Sequence, residues 1–93
     1  MNAQLGITPM IGINDPPEGT PLPTPEQLSL ANAQTITTYA NGNSRIGLIA
    51  FWDLERDNEC PNGATGLQGG QAPNTCSGID QSSYQFSSIF EQF

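Results

Sequence analysis

Apolar residues along the chain fall into short blocks separated by stretches rich in proline, glycine and asparagine. Residues 5–13 form the first block, with β-branched Ile7, Thr8, Ile11 and Ile13, and Asn14, Asp15, Pro16 and Pro17 close it. Such a block predicts a strand that runs into a loop. Four prolines and a glycine between positions 16 and 23 allow neither a continued ladder nor an early helix. Thr24 then offers an N-cap, Pro25 a first helical residue and Gln27 a capping-box partner, so a helix is predicted to start there. Leu28, Ala31, Ile36, Tyr39 and Ala40 fall near one face of it, and Asn41 with Gly42 supplies the stop. Residues 46–52, IGLIAFW, run apolar without polar alternation. That is the pattern of a strand covered on both faces, the habit of parallel sheets flanked by helices.

The character changes after Trp52. Residues 53–80 hold five glycines, two prolines and both cysteines, and a loop of that length in a folded domain is functional or tied down. Asp80 or Ser82 then offers a cap for a last helix, in which Tyr84, Phe86, Ile89, Phe90 and Phe93 recur at near-helical spacing. The order is strand, loop, helix, strand, loop, helix, which is α/β with two βα units. Two parallel strands leave both edges and most of both faces uncovered, so the chain reads as a piece of a larger α/β domain, incomplete as a standalone one. No repeat of 20 to 50 residues marks a solenoid.

Composition narrows the function. The 93 residues include nine acidic ones against Arg45 and Arg56, with no lysine or histidine, for a formal net charge of −7. Nucleic acid and anionic membranes are poor partners for such a surface, and histidine-based zinc sites and triads are excluded. No motif implies a cofactor. Cys60 and Cys76 are an even pair in a polar stretch, which suits a disulfide and an oxidising compartment. Joining them would close a ring worth about 3 kcal/mol by the chain-entropy account. Residues 1–5 carry no basic n-region, and no apolar run suits a signal peptide or a membrane span.

Three segments carry a resemblance: TPMIGIND (residues 8–15), LIAFWDLERDNECP (48–61) and CSGIDQSSYQFSSIF (76–90). In that order and spacing they resemble the last two βα units of a glycoside hydrolase family 18 chitinase, of the microbial type without the inserted α+β subdomain. The resemblance covers nearly all of residues 1–93. It implies two C-terminal βα units of a (β/α)8 TIM barrel, chitin or a chito-oligosaccharide as ligand, and an extracellular parent protein. The remainder of the barrel is then expected on a segment ahead of this chain, and the site at the C-terminal ends of the strands.

Trp52 is the most informative residue. From the residues alone it reads as a core tryptophan ending a buried strand; the resemblance implies instead the floor under the sugar at the cleavage point, for which a flat indole is suited. Asn14 and Asp15 read alone as turn formers before two prolines, and the resemblance implies a substrate-pocket role for the pair. Met10 reads as strand core, or as packing beside the pocket. Asp53, Glu55, Asp57 and Glu59 suggest acid/base chemistry or calcium, but the segment lacks the glycine turn and distal glutamate of a calcium loop. The family's catalytic motif, DxxDxDxE, is absent: DLERDNE has only a D-x-E triplet, with Arg56 in place of an aspartate and on the wrong strand. We therefore expect Arg56 and Asp57 to pair locally and hold the loop, the other charges to be solvated, and the isolated chain to be inactive. The cysteines match a loop disulfide that the resemblance also implies.

Two functions of different class follow from these expectations. One is part of a chitinase-like hydrolase, in which this chain supplies cleft residues but not the catalytic acid. The other is a noncatalytic carbohydrate-binding or truncated, inactive barrel remnant.

Overall fold

The structure is a computed structural model that describes residues 4–14, 26–61 and 74–93. Its elements are strands β1 (Leu5–Ile7), β2 (Gly12–Ile13) and β3 (Gln27–Leu28), helix α1 (Leu30–Asn41), strand β4 (Ile46–Ile49), a 3-10 turn (Leu54–Arg56) and helix α2 (Gln85–Phe90). The arrangement is a small mixed α/β one.

β1 and β4 pair in parallel, with Gly6 opposite Leu48 and Ile7 opposite Ile49. The ladder runs on past both strands. The Ala50 N–H donates to the Ile7 carbonyl at 2.9 Å, the Trp52 N–H to Pro9 at 2.9 Å, and the Ile11 N–H to Trp52 at 3.1 Å. The first strand is nonetheless split where one was expected over residues 5–13. Pro9 has no N–H to give, and Gly12 takes a φ of 69°. That conformation brings the chain against Ser77: a Cβ on Gly12 would lie 2.6 Å from the Ser77 Cβ and 2.9 Å from its carbonyl carbon. Only glycine permits both the angle and the approach.

β2 pairs antiparallel with β3, Gly12 opposite Leu28 and Ile13 opposite Gln27. This corrects the expected start of the first helix. Gln27 and Leu28 are extended because β2 supplies backbone partners for them. The helix begins at Leu30 behind a different cap, in which the Ser29 hydroxyl accepts from the Asn32 N–H at 3.0 Å and the Asn32 side chain accepts from the Ser29 N–H at 3.0 Å. Thr24 and Pro25 lie outside the described residues. The buried face also differs: Ala33, Thr37 and Ala40 are buried and Ile36 half-buried, whereas Ala31 and Tyr39 are exposed. Small residues at i, i+4 and i+7 let α1 approach its neighbours α2 and β4 closely, and the Thr37 hydroxyl is satisfied by the Ala33 carbonyl at 2.9 Å. The stop at Gly42 is as expected, its N–H donating to Thr38 and Tyr39.

Ile11, Ala33, Phe86 and Phe90 form the core, with Ile49, Phe51, Ile79 and Ile89 among those packed against it. The rings of Phe51 and Phe90 lie 5.3 Å apart. Along β4 and its continuation, Ile49 and Phe51 face this core, while Leu48 and Trp52, at the alternating positions, are more than half exposed. From Leu48 to Trp52 the run is therefore covered on one face only, although Ile46 at the start of β4 is buried.

The last helix is shorter than its apolar pattern, with Phe86 and Phe90 buried, Ile89 half-buried, and Tyr84 and Phe93 exposed. Neither Asp80 nor Ser82 stands at its N-cap. Tyr84 stands there, at φ 59°, and makes no side-chain cap bond.

Candidate functional site

The two parallel strands present their C-terminal ends together. Trp52 is the last residue of the second strand's ladder, opposite Met10 in a parallel bridge. Its backbone N–H and carbonyl are both engaged, to Pro9 and Ile11. The indole is 55% exposed, outside the core, and Met10 beside it is half-buried. Facing residues of a parallel pair project to the same side, so Met10 and Trp52 share the open face that also carries Leu48.

The strand ends at Trp52, and the Trp52–Asp53 peptide bond that follows is cis. Asp53 is extended and caps the 3-10 turn, its carboxylate accepting from the Arg56 N–H at 3.2 Å. It is half-buried, while Glu55 and Glu59 are exposed as expected of solvated charges. Asn14 ends β2. Its N–H donates to the Glu26 carbonyl at 2.8 Å and its side-chain amide to the Gly12 carbonyl at 3.2 Å. Those bonds tie it to the β2–β3 side, so the structure brings Met10 and Trp52 together and sets Asn14 further along the same strand end. Asp15 lies outside the described residues.

Arg56 and Asp57 have larger roles than the local ion pair expected for them. Both are fully buried. The Arg56 guanidinium donates to the carbonyl of Ile11 and, at 2.8 Å, to that of Ile13. The Asp57 carboxylate accepts from the Phe86 N–H at 3.0 Å, the Ser87 N–H at 2.8 Å, the Ser87 hydroxyl at 2.7 Å and the Gln81 amide at 2.8 Å. It is the cap of α2, reached across the fold. A helix N-terminus leaves its first N–H groups without partners, and here a carboxylate from a distant turn takes two of them. The one local signal was the D-x-x-R spacing of the Asp53 cap; nothing nearby in sequence pointed to Ile11, Ile13 or α2.

Cys60 and Cys76 form the disulfide, with Cα atoms 4.9 Å apart. Asn58 bridges the same two arms, its amide donating to the Thr75 carbonyl at 3.0 Å and its own carbonyl accepting from the Ser77 N–H at 2.9 Å. Among the described residues no three His, Cys, Asp or Glu side chains are grouped as metal ligands. An apolar concavity on the outer surface of α1, lined by Ala31, Gln34, Thr35, Thr38 and Tyr39, is made by one helix and holds no charged group. The chemistry offered at the strand ends is a flat, exposed indole flanked by a thioether, suited to stacking against a ring with an apolar face.

Solved structures of a chitinase from Pyrococcus furiosus are similar to this chain. They are catalytic-site mutants of active domain 2 of the thermostable chitinase complexed with chito-oligosaccharides, with a TM-score of 0.68, and catalytic-site mutants of active domain 2, also 0.68. The catalytic domain of the hyperthermophilic chitinase follows at 0.66. Each is 29% identical to this chain over 94% of it, and the match covers 24% of the chitinase chain. The chain thus spans about a quarter of the length of the structures it matches, and its fold is chitinase-like. No family model and no curated protein matches it.

Proposed function

We propose that this chain supplies part of the substrate cleft of a chitinase-like glycoside hydrolase that acts on β-1,4-linked N-acetylglucosamine polymers. In this reading, residues 1–93 are the last two βα units of a (β/α)8 barrel of glycoside hydrolase family 18. The observation that carries it is Trp52, exposed at the C-terminal end of a parallel strand in a fold like that of a chitinase. Barrel enzymes place their sites at that end of the strands. The open face with Leu48 and Trp52 is the one that the remaining strands would enclose, and those strands belong to a segment outside this chain.

Trp52 is the floor on which one sugar ring lies, its indole against the ring's C–H face. Met10 flanks it, and Asn14 and Asp15 offer hydrogen bonds to the sugar's polar rim. The substrate's own acetamido oxygen acts as nucleophile, and one protein acid, on the part of the barrel outside this chain, protonates the leaving oxygen. The Cys60–Cys76 disulfide suits an extracellular protein.

Calorimetric titration of the chain with chitotetraose tests the reading. Trp52→Ala is expected to weaken binding about tenfold or more, close to 1.4 kcal/mol, with an unchanged circular dichroism spectrum. Equal affinities for the two proteins would remove Trp52 from the cleft. The unmodified chain is also expected to give no turnover of a chromogenic chito-oligosaccharide, and measurable hydrolysis would show that the acid does not lie elsewhere.

A further inference from the structure

The parallel ladder between the first strand and the second advances by two residues at each step. The Ala50 N–H serves the Ile7 carbonyl and the Trp52 N–H serves Pro9. By the same count, the N–H groups of residues 54 and 56 would serve the carbonyls of Ile11 and Ile13. They do not, because the chain leaves the sheet after Trp52 and the Arg56 N–H turns back to Asp53. The Arg56 guanidinium stands in for the missing strand, giving one nitrogen to the Ile11 carbonyl and the other to Ile13. Ser77 completes the substitution by accepting the Ile13 N–H at 2.8 Å.

We infer that Arg56 is a positioning residue: its side chain replaces the continuation of the second strand and thereby holds Trp52 in place against Met10 and Ile11. Ile11 is gripped on both of its backbone groups by one short segment, its N–H by the Trp52 carbonyl and its carbonyl by Arg56. A planar guanidinium spans two carbonyls at i and i+2 with a fixed fork, which a flexible ammonium cannot reproduce in full. Its complete burial ties that charge to this geometry. The consequence for sugar binding rests on the cleft reading above; the placement of Trp52 does not.

Trp52 is the single tryptophan, so the tryptophan bands of the near-ultraviolet dichroism, which lie to longer wavelength than those of the two tyrosines, report its own environment. Arg56→Met is expected to abolish that signal while the far-ultraviolet helix signal remains, and to lower chitotetraose affinity about tenfold; Arg56→Lys is expected to recover part of both. Ser29→Ala, a cap change at the start of α1, is the stability control and should leave the Trp52 signal as it is. In the unmodified protein, the Arg56 guanidinium protons should exchange slowly and show nuclear Overhauser contacts to Ile11 and Ile13. Fast exchange without those contacts would overturn the inference, as would a wild-type Trp52 signal in Arg56→Met or an equal change in Ser29→Ala. If Arg56→Met disturbs Trp52 while the unmodified chain fails to bind chitotetraose, the positioning role stands and the cleft reading falls.

Discussion

Asp57→Ala is expected to destabilise the chain by about 3 kcal/mol or more, enough to remove α2 from the fold in most molecules. The carboxylate is fully buried and accepts from two backbone N–H groups, one hydroxyl and one amide. Alanine takes this acceptor from the Phe86 N–H, the Ser87 N–H and the Ser87 hydroxyl, while the Gln81 amide keeps its bond to the Ser82 carbonyl, and a buried group left unsatisfied costs about 1–3 kcal/mol. α2 cannot absorb the loss. It has six residues, far fewer than a helix needs to persist on its own, yet it carries Phe86 and Phe90 of the core. One bond survives, from the Tyr84 N–H to the Asp57 carbonyl at 2.6 Å, because it uses backbone atoms only. Asp57→Asn should fall between, since it keeps the shape and one accepting oxygen but turns an amide N–H₂ toward the donors. Urea unfolding followed by far-ultraviolet dichroism measures both, and an alanine variant within about 0.5 kcal/mol of the parent, the usual range for an ordinary surface change, would refute the distant cap.

Reduction of the Cys60–Cys76 disulfide, or its replacement by two alanines, is expected to lower stability by about 3 kcal/mol. The bond joins residues 16 apart in sequence, and in the chain-entropy account the loss comes from the unfolded chain, which regains its freedom. The folded arms keep another tie. Asn58 joins them through its side chain to Thr75 and through its backbone to Ser77. The reduced protein should therefore show a lower denaturation midpoint but the same emission maximum of Trp52 fluorescence before unfolding begins. For a chain this small, such a loss is a large share of the total. A maximum that shifts on reduction in the absence of denaturant would mean that the disulfide shapes the native strand ends directly, contrary to the role assigned here to Asn58 and Arg56.

Much of the plan was legible in the order of residues. The apolar runs on either side of α1 are the two parallel strands, Gly42 ends the helix as its position predicts, and the cysteines pair. Trp52 at the close of the second run ends the ladder. Those features depend on side-chain period and on the conformational limits of single residues, which sequence displays. Its exposure was not legible, because a tryptophan ending an apolar run looks the same whether its face is covered or open. The start of α1 misled for a related reason: Thr24, Pro25 and Gln27 form an acceptable local cap, but Gln27 and Leu28 found long-range partners in Ile13 and Gly12. Arg56 and Asp57 show the limit most clearly. Arg56 lies 45 residues from the Ile11 carbonyl it holds, and Asp57 lies 29 residues from the Phe86 N–H it caps. The order of residues marked where strands and helices were available and which cysteines closed the loop. Which buried backbone groups lacked a neighbour emerged from packing in three dimensions, and two charged side chains in one turn were drawn inside to meet them because a buried donor or acceptor left alone costs more than a buried, bonded charge.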